Sequence, residues 1–124
     1  MITVATYTQR SKIHGLGLFA SSDIEKGTVV WRYAPHIDSR VLFIEATDVM
    51  RHYGYVNPTN PNYLVICGDD SRWMNFSEQA NCVTGEIDQS GEFVLVSDRP
   101  ILAGEELTVS KSSDLDYDRK MLLS

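Results

Sequence analysis

No apolar segment in this chain is long. Residues 4–7, 28–33, 63–67, 92–96 and 106–109 are short runs rich in Val, Ile, Thr and aromatics, a composition that suits the pleated, half-buried surface of a strand. Turn-forming clusters separate them: Glu25-Lys26-Gly27, the stretch from Asn57 to Asn62 with Pro58 and Pro61, Gln89-Ser90-Gly91 and Ala103-Gly104. Gln89-Ser90-Gly91 joins Glu86-Ile87-Asp88 to Glu92-Phe93-Val94 as a predicted hairpin. Helical spacing is confined to two stretches. Residues 41–50 place Leu42, Ala46 and Val49 near one face, and residues 114–123 follow Ser112-Ser113-Asp114 as a cap. Strands that are not interleaved with helices exclude a doubly wound α/β sheet. The expectation is one mostly β domain over residues 1–124 with small helices.

The charge balance narrows the partners. Seventeen acidic against eleven basic residues give a net charge of −6. That sign repels phosphate backbones and attracts a Lys/Arg-rich tail, so no direct nucleic-acid binding is expected. Cys67 and Cys82 form no CxxC pair, and His14, His36 and His52 lack ligand spacing, so no metal site is expected. The two thiols read as free and reduced. Met1 to Ala5 lacks the charged start and apolar core of a signal peptide, and no apolar run nears the roughly 20 residues of a membrane span. A cytoplasmic location with no membrane association is the expectation.

His14-Gly15-Leu16-Gly17-Leu18-Phe19-Ala20 is the first segment with possible chemistry. Glycines on both sides of one residue allow a backbone to approach a ligand closely. The spacing fits a loose dinucleotide fingerprint, but that motif needs a helix directly after it to receive the phosphates. Here a turn follows, then a strand. A glycine-softened turn that sends Leu18 and Phe19 into the core is the simpler reading of the segment by itself.

Two further segments alter its meaning. Arg72-Trp73-Met74-Asn75-Phe76-Ser77 continues to Asn81, and Ile101 is followed by Gly104-Glu105-Glu106-Leu107-Thr108. Together with Gly15-Leu16-Gly17 and the Asp23 to Val30 stretch, these resemble, in order and spacing, the motifs of the SET-domain family of lysine methyltransferases, from about Ser11 to Thr108. The resemblance implies a β-rich pseudoknot of short strands, in which the segment after Gly104 threads a loop formed by Arg72 to Asn81. It implies S-adenosyl-L-methionine as cofactor, with His14, Gly15, Leu16 and Gly17 at its methionine end and Asn75 and the Phe76 backbone at its polar edge. Arg72 either touches the cofactor or braces the loop. A basic protein or peptide is the implied substrate, and a homodimer the implied assembly.

The bland readings of neighbouring residues are also clear. Adjacent residues on a strand face opposite ways, so Glu105 and Glu106 cannot act as a carboxylate pair; they read as a hairpin edge and an ion-pair partner. Asp69-Asp70 reads as a turn cap, and Trp73, Met74 and Phe76 read as core. One departure from the family bears on activity. The family motif ends Glu-Leu-Thr-x-Asp-Tyr, whereas Ser110 and Lys111 occupy the Asp and Tyr positions here. Three accounts follow. Tyr117 supplies the hydroxyl, Tyr55 or Tyr63 lines the channel, or the domain is a catalytically degenerate module acting by protein interaction.

Overall fold

The computed structural model describes residues 1–110. Lys111, Tyr117 and the 114–123 helix expectation therefore lie outside the described residues. The strands are β1 (Thr6–Arg10), β2 (Leu16–Ala20), β3 (Val29–Trp31), β4 (Ser39–Leu42), β5 (Tyr55–Val56), β6 (Tyr63–Ile66), β7 (Asn75–Phe76), β8 (Cys82–Ile87), β9 (Phe93–Ser97) and β10 (Glu106–Val109), with one α-helix, α1 (Asp48–Tyr53). This is the mostly β architecture expected.

A seven-stranded sheet runs β1-β2-β10-β8-β9-β3, with β7 set against β10. The late strand β10 is thus inserted among early strands rather than added at an edge. It pairs antiparallel with β2, with Leu107 opposite Leu18, and parallel with β7 and β8. Asn81 ties the intervening loop to it: its Nδ2 donates to the Glu106 carbonyl at 2.8 Å and its Oδ1 accepts from the Thr108 amide at 2.9 Å. Both leucines are fully buried, as are Ala20, Val30, Cys82 and Ile101 in the main core. A smaller three-stranded sheet, β4-β6-β5, packs its own cluster of Val56, Leu64 and Ala46.

The helix expected at 41–50 is not there. Leu42 ends strand β4, residues Phe43–Glu45 make one 3-10 turn, and α1 begins only after Thr47. The Thr47 side chain accepts from the Met50 amide at 3.2 Å, Asp48 sits in the first turn and Arg51 and His52 in the last, which suits the helix dipole. The apparent periodicity misleads because Leu42 belongs to β4 and Val49 points to solvent, at 67% exposure. The helix stops at Gly54, where a Cβ would stand 2.8 Å from the Met50 carbonyl and 2.7 Å from Ile66.

Other boundaries differ less. The first strand starts at Thr6 rather than Val4, and β10 has the expected bounds. The predicted hairpin forms between β8 and β9, with Gly91 at φ 84° in its turn. The glycine segment buries Leu18 and Phe19 as expected, but it does so as a full strand, β2.

Candidate functional site

A cleft of about 440 Å³ opens beside the glycine segment and is lined from strands of both sheets. Its near wall is Ile13, His14, Gly15 and Leu16 together with Arg72 to Phe76. These two segments, about sixty residues apart in sequence, are joined by one side chain. Asn75 Nδ2 donates to the carbonyls of His14 and Leu16, each at 3.1 Å, and to Glu106 Oε2 at 2.9 Å. Glu106 in turn accepts from Ser11 Oγ at 2.7 Å, and Ser11 holds the turn through its amide to the Gly15 carbonyl at 2.7 Å. Gly15 has φ 45°, a left-handed geometry that glycine adopts without strain. Gly17 does not line the cleft; a Cβ there would stand 2.5 Å from the Glu106 carboxylate, so its absence makes room for the clamp.

The far wall is aromatic. Tyr53 packs edge-on against Trp73 at 5.5 Å between ring centroids, and Tyr55 against Trp31 at 5.8 Å. Phe93, Leu95, Val109 and Thr84 close the rest of the cleft with Cys67 and Ser71. Trp31 is held by its indole N–H, which donates to Ser71 Oγ at 3.1 Å. Ser71 is set by Asp69, which caps the short 3-10 helix Asp70–Trp73 by accepting from the Ser71 amide at 3.0 Å. Burial pushes the Cys67 thiol up to about 11, against the opposing pull of a hydrogen bond with Ser71. Burial, reinforced by the neighbouring Glu92 carboxylate, holds the Tyr55 phenol far above its ordinary value, so it stays protonated.

Of the expected site residues, His14, Gly15, Leu16, Arg72, Asn75 and Phe76 meet on the near wall, and Gly17 stands behind it. Arg72 is braced by its neighbour, its guanidinium lying 4.9 Å from the Trp73 ring centre. Three expectations are corrected. Trp73 and Phe76 line the cleft instead of the core, because Asn75 turns the segment towards the glycine strand; Met74 does both, packing on the main core beneath. His52 also faces the cleft. Glu106 is no ion-pair partner: among the described residues its carboxylate is met by a hydroxyl and an amide. Tyr55 lines the cleft and Tyr63 does not. The sequence carried no local signal for Trp31, Tyr53, Cys67 or Phe93. They come from four separate segments and share no spacing.

The donor set suits the cofactor implied by the motifs. No described residue donates to Asn75 Oδ1, whose amide hydrogens are taken up by the glycine segment and Glu106. An amide fixed by its NH₂ end presents its oxygen to an ammonium group. The aromatic wall opposite offers ring faces and edges to a cationic sulfonium and an alkylamine. Among the described residues no group of three or more His, Cys, Asp or Glu is placed to hold a metal ion, and no helix is long and apolar enough to cross a membrane.

Comparison with known proteins agrees with this arrangement. The family model for the SET domain matches residues 15–110, and the chain belongs to that family. It is 31% identical over 123 residues to Histone-lysine N-methyltransferase trr of Drosophila melanogaster, covering 89% of this chain and 5% of that protein. It is 30% identical over 121 residues to Histone-lysine N-methyltransferase 2D of Homo sapiens, covering 91% of this chain and 2% of that one. The chain thus spans a small part of the curated relatives it matches. The fold is shared with a humanized mutant of the Chaetomium thermophilum Polycomb Repressive Complex 2, with TM-score 0.72 and 24% identity, covering 94% of this chain and 16% of that one.

Proposed function

We propose that the cleft binds S-adenosyl-L-methionine on its glycine side and a lysine side chain on its aromatic side, and that the domain methylates lysine in a basic protein. The observation that carries this reading is Asn75, a cleft residue that locks the glycine segment with its NH₂ group while no described residue donates to its oxygen. The membership in the SET family and the names of the relatives support the reaction class.

The cofactor, when bound, supplies a methyl group on a sulfonium centre. The protein's part is positioning and desolvation. A lysine amine attacks only when neutral, and its free value is about 10.4. The apolar wall of Trp31, Phe93 and Leu95 disfavours the charged form and so lowers that value. Tyr55, protonated and half-buried on this wall, offers the amine a hydroxyl oxygen. The −6 net charge favours a basic substrate such as a histone tail.

A second reading is favoured by one position. Lys111 stands where the family has its channel tyrosine, and a cation there opposes a sulfonium. On that reading the domain binds partner and cofactor without turnover. Transfer of labelled methyl groups to core histones separates the two. Turnover by the native chain that Tyr55→Phe reduces supports the transferase with Tyr55 as its hydroxyl. Turnover lost only in Tyr117→Phe assigns the hydroxyl to Tyr117. Transfer seen only after Lys111→Tyr identifies a degenerate module.

A further inference from the structure

Behind Tyr55 lies a carboxylate that forms no part of the cleft. Glu92 is fully buried, and three donors converge on it. Arg40 Nε approaches Oε2 at 2.6 Å, Asn57 Nδ2 donates to the same oxygen, and the Tyr55 hydroxyl meets Oε1 at 3.0 Å. The direction of each bond is fixed by its neighbours. Asn57 Oδ1 accepts from the Thr59 and Asn60 amides, both at 2.8 Å, and backbone N–H groups only donate. The Asn57 NH₂ must therefore face Glu92. The Arg40 guanidinium also only donates. A carboxylate flanked by these groups only accepts, so the Tyr55 proton is committed to Glu92 and lies away from any ligand.

We infer that Glu92 is a positioning residue for Tyr55: it draws the hydroxyl proton inward and leaves the phenol oxygen to act on the cleft solely as an acceptor. This rests on the reading of the cleft as a lysine site. There, an acceptor oxygen holds an amine through its N–H and leaves the nitrogen lone pair free for the methyl group. A donor at that point would bind the lone pair and block attack. The burial of Tyr55 keeps the phenol from ionising, so the proton stays on this bond.

Glu92→Gln inverts the arrangement without changing its shape. Arg40 and Asn57 require an acceptor at the Oε2 position, so the new amide must place its oxygen there and its NH₂ towards Tyr55. The Tyr55 oxygen then accepts, and its proton turns outward.

Two measurements test this. The first needs no ligand. Proton NMR of the native chain should show a slowly exchanging Tyr55 hydroxyl proton with a cross-peak to the Glu92 side chain, and Glu92→Gln should abolish that cross-peak. The second uses methyl transfer to core histones. Glu92→Gln should lower kcat about tenfold, the scale of one misdirected hydrogen bond, with cofactor affinity unchanged. In a Tyr55→Phe background the same substitution should have no further effect on kcat. A hydroxyl proton that makes no contact with Glu92 overturns the inference. So does a kcat unchanged in Glu92→Gln, or a drop that persists without the Tyr55 hydroxyl. If Glu92→Gln does not fold, Tyr55→Phe alone decides, since an unchanged kcat without the hydroxyl also overturns it. A native chain that shows the cross-peak but neither binds cofactor nor transfers methyl groups leaves Glu92 as the partner of Tyr55 and removes the methyltransferase reading instead.

Discussion

The two walls of the cleft are held in different ways. The near wall is built from half-buried polar groups, with Asn75 and Glu106 clamping the glycine strand through carbonyls and the Ser11 hydroxyl. The far wall is held from behind, by a fully buried carboxylate that satisfies an arginine, an amide and a phenol at once. Solvent can replace much of what a lost near-wall contact provided. Glu92 is harder to replace, because it is fully buried and one of its partners, Asn57, is buried with it, although Arg40 keeps a solvent-facing side. Binding chemistry and folding stability are therefore separable on the near wall and fused on the far one.

Substitutions can break that contrast. Glu92→Ala leaves the buried Asn57 amide and the half-buried Tyr55 hydroxyl without their shared acceptor, while Arg40 keeps solvent and the Ser90 carbonyl, and should cost about 2 kcal/mol of stability in a denaturant titration. A loss below about 1 kcal/mol would show that the far wall is no better buried than the near one. Asn75→Ala should do the reverse, weakening cofactor binding at least about tenfold, or about 1.4 kcal/mol, while lowering stability by about 1 kcal/mol. Calorimetry and thermal unfolding on the same sample read both. Ser11→Ala, one step further from the ligand, should lower stability by about 0.5 kcal/mol and weaken the cofactor only slightly.

The smallest effect concerns acid. Burial alone would raise the Asp69 carboxyl, but hydrogen bonds from the Ser71 side chain and the Ile2 and Ser71 amides outweigh it and hold Asp69 below the ordinary carboxylate range. A depressed value stabilises the fold above the unfolded value of about 3.9 and is lost as pH falls through the folded one. Asp69→Asn should thus be slightly less stable at neutral pH, and its stability curve should converge on the native one in acid. Parallel curves across the acid range would show that Asp69 contributes no pH-dependent term.

The same contrast governs what could be read from the sequence. The near wall rests on contiguous motifs. Gly15-Leu16-Gly17 sets a backbone, Asn75 sits in a marked segment, and the apolar run 106–109 coincides with β10. Spacing along the chain carries such features. The far wall depends on Tyr55 meeting Glu92 across 37 positions, and neither residue lies in a motif. A tyrosine in a two-residue strand and a glutamate entering β9 look like any surface pair until the sheets are assembled. The helix expected at 41–50 failed for a related reason. Period alone does not say which face is covered, and the helix starts only after its cap at Thr47. The paired glycines predict a softened turn, whereas pairing with both β1 and β10 makes the segment a strand, β2.

The central claim is that the Asn75 side of the cleft holds S-adenosyl-L-methionine. Titration calorimetry of the native chain with that cofactor tests it most directly, with Asn75→Ala alongside. Micromolar binding that the variant weakens at least about tenfold, with its fold intact, is the result predicted. A native chain that takes up no cofactor, or a variant that binds as tightly as the native chain, would contradict it.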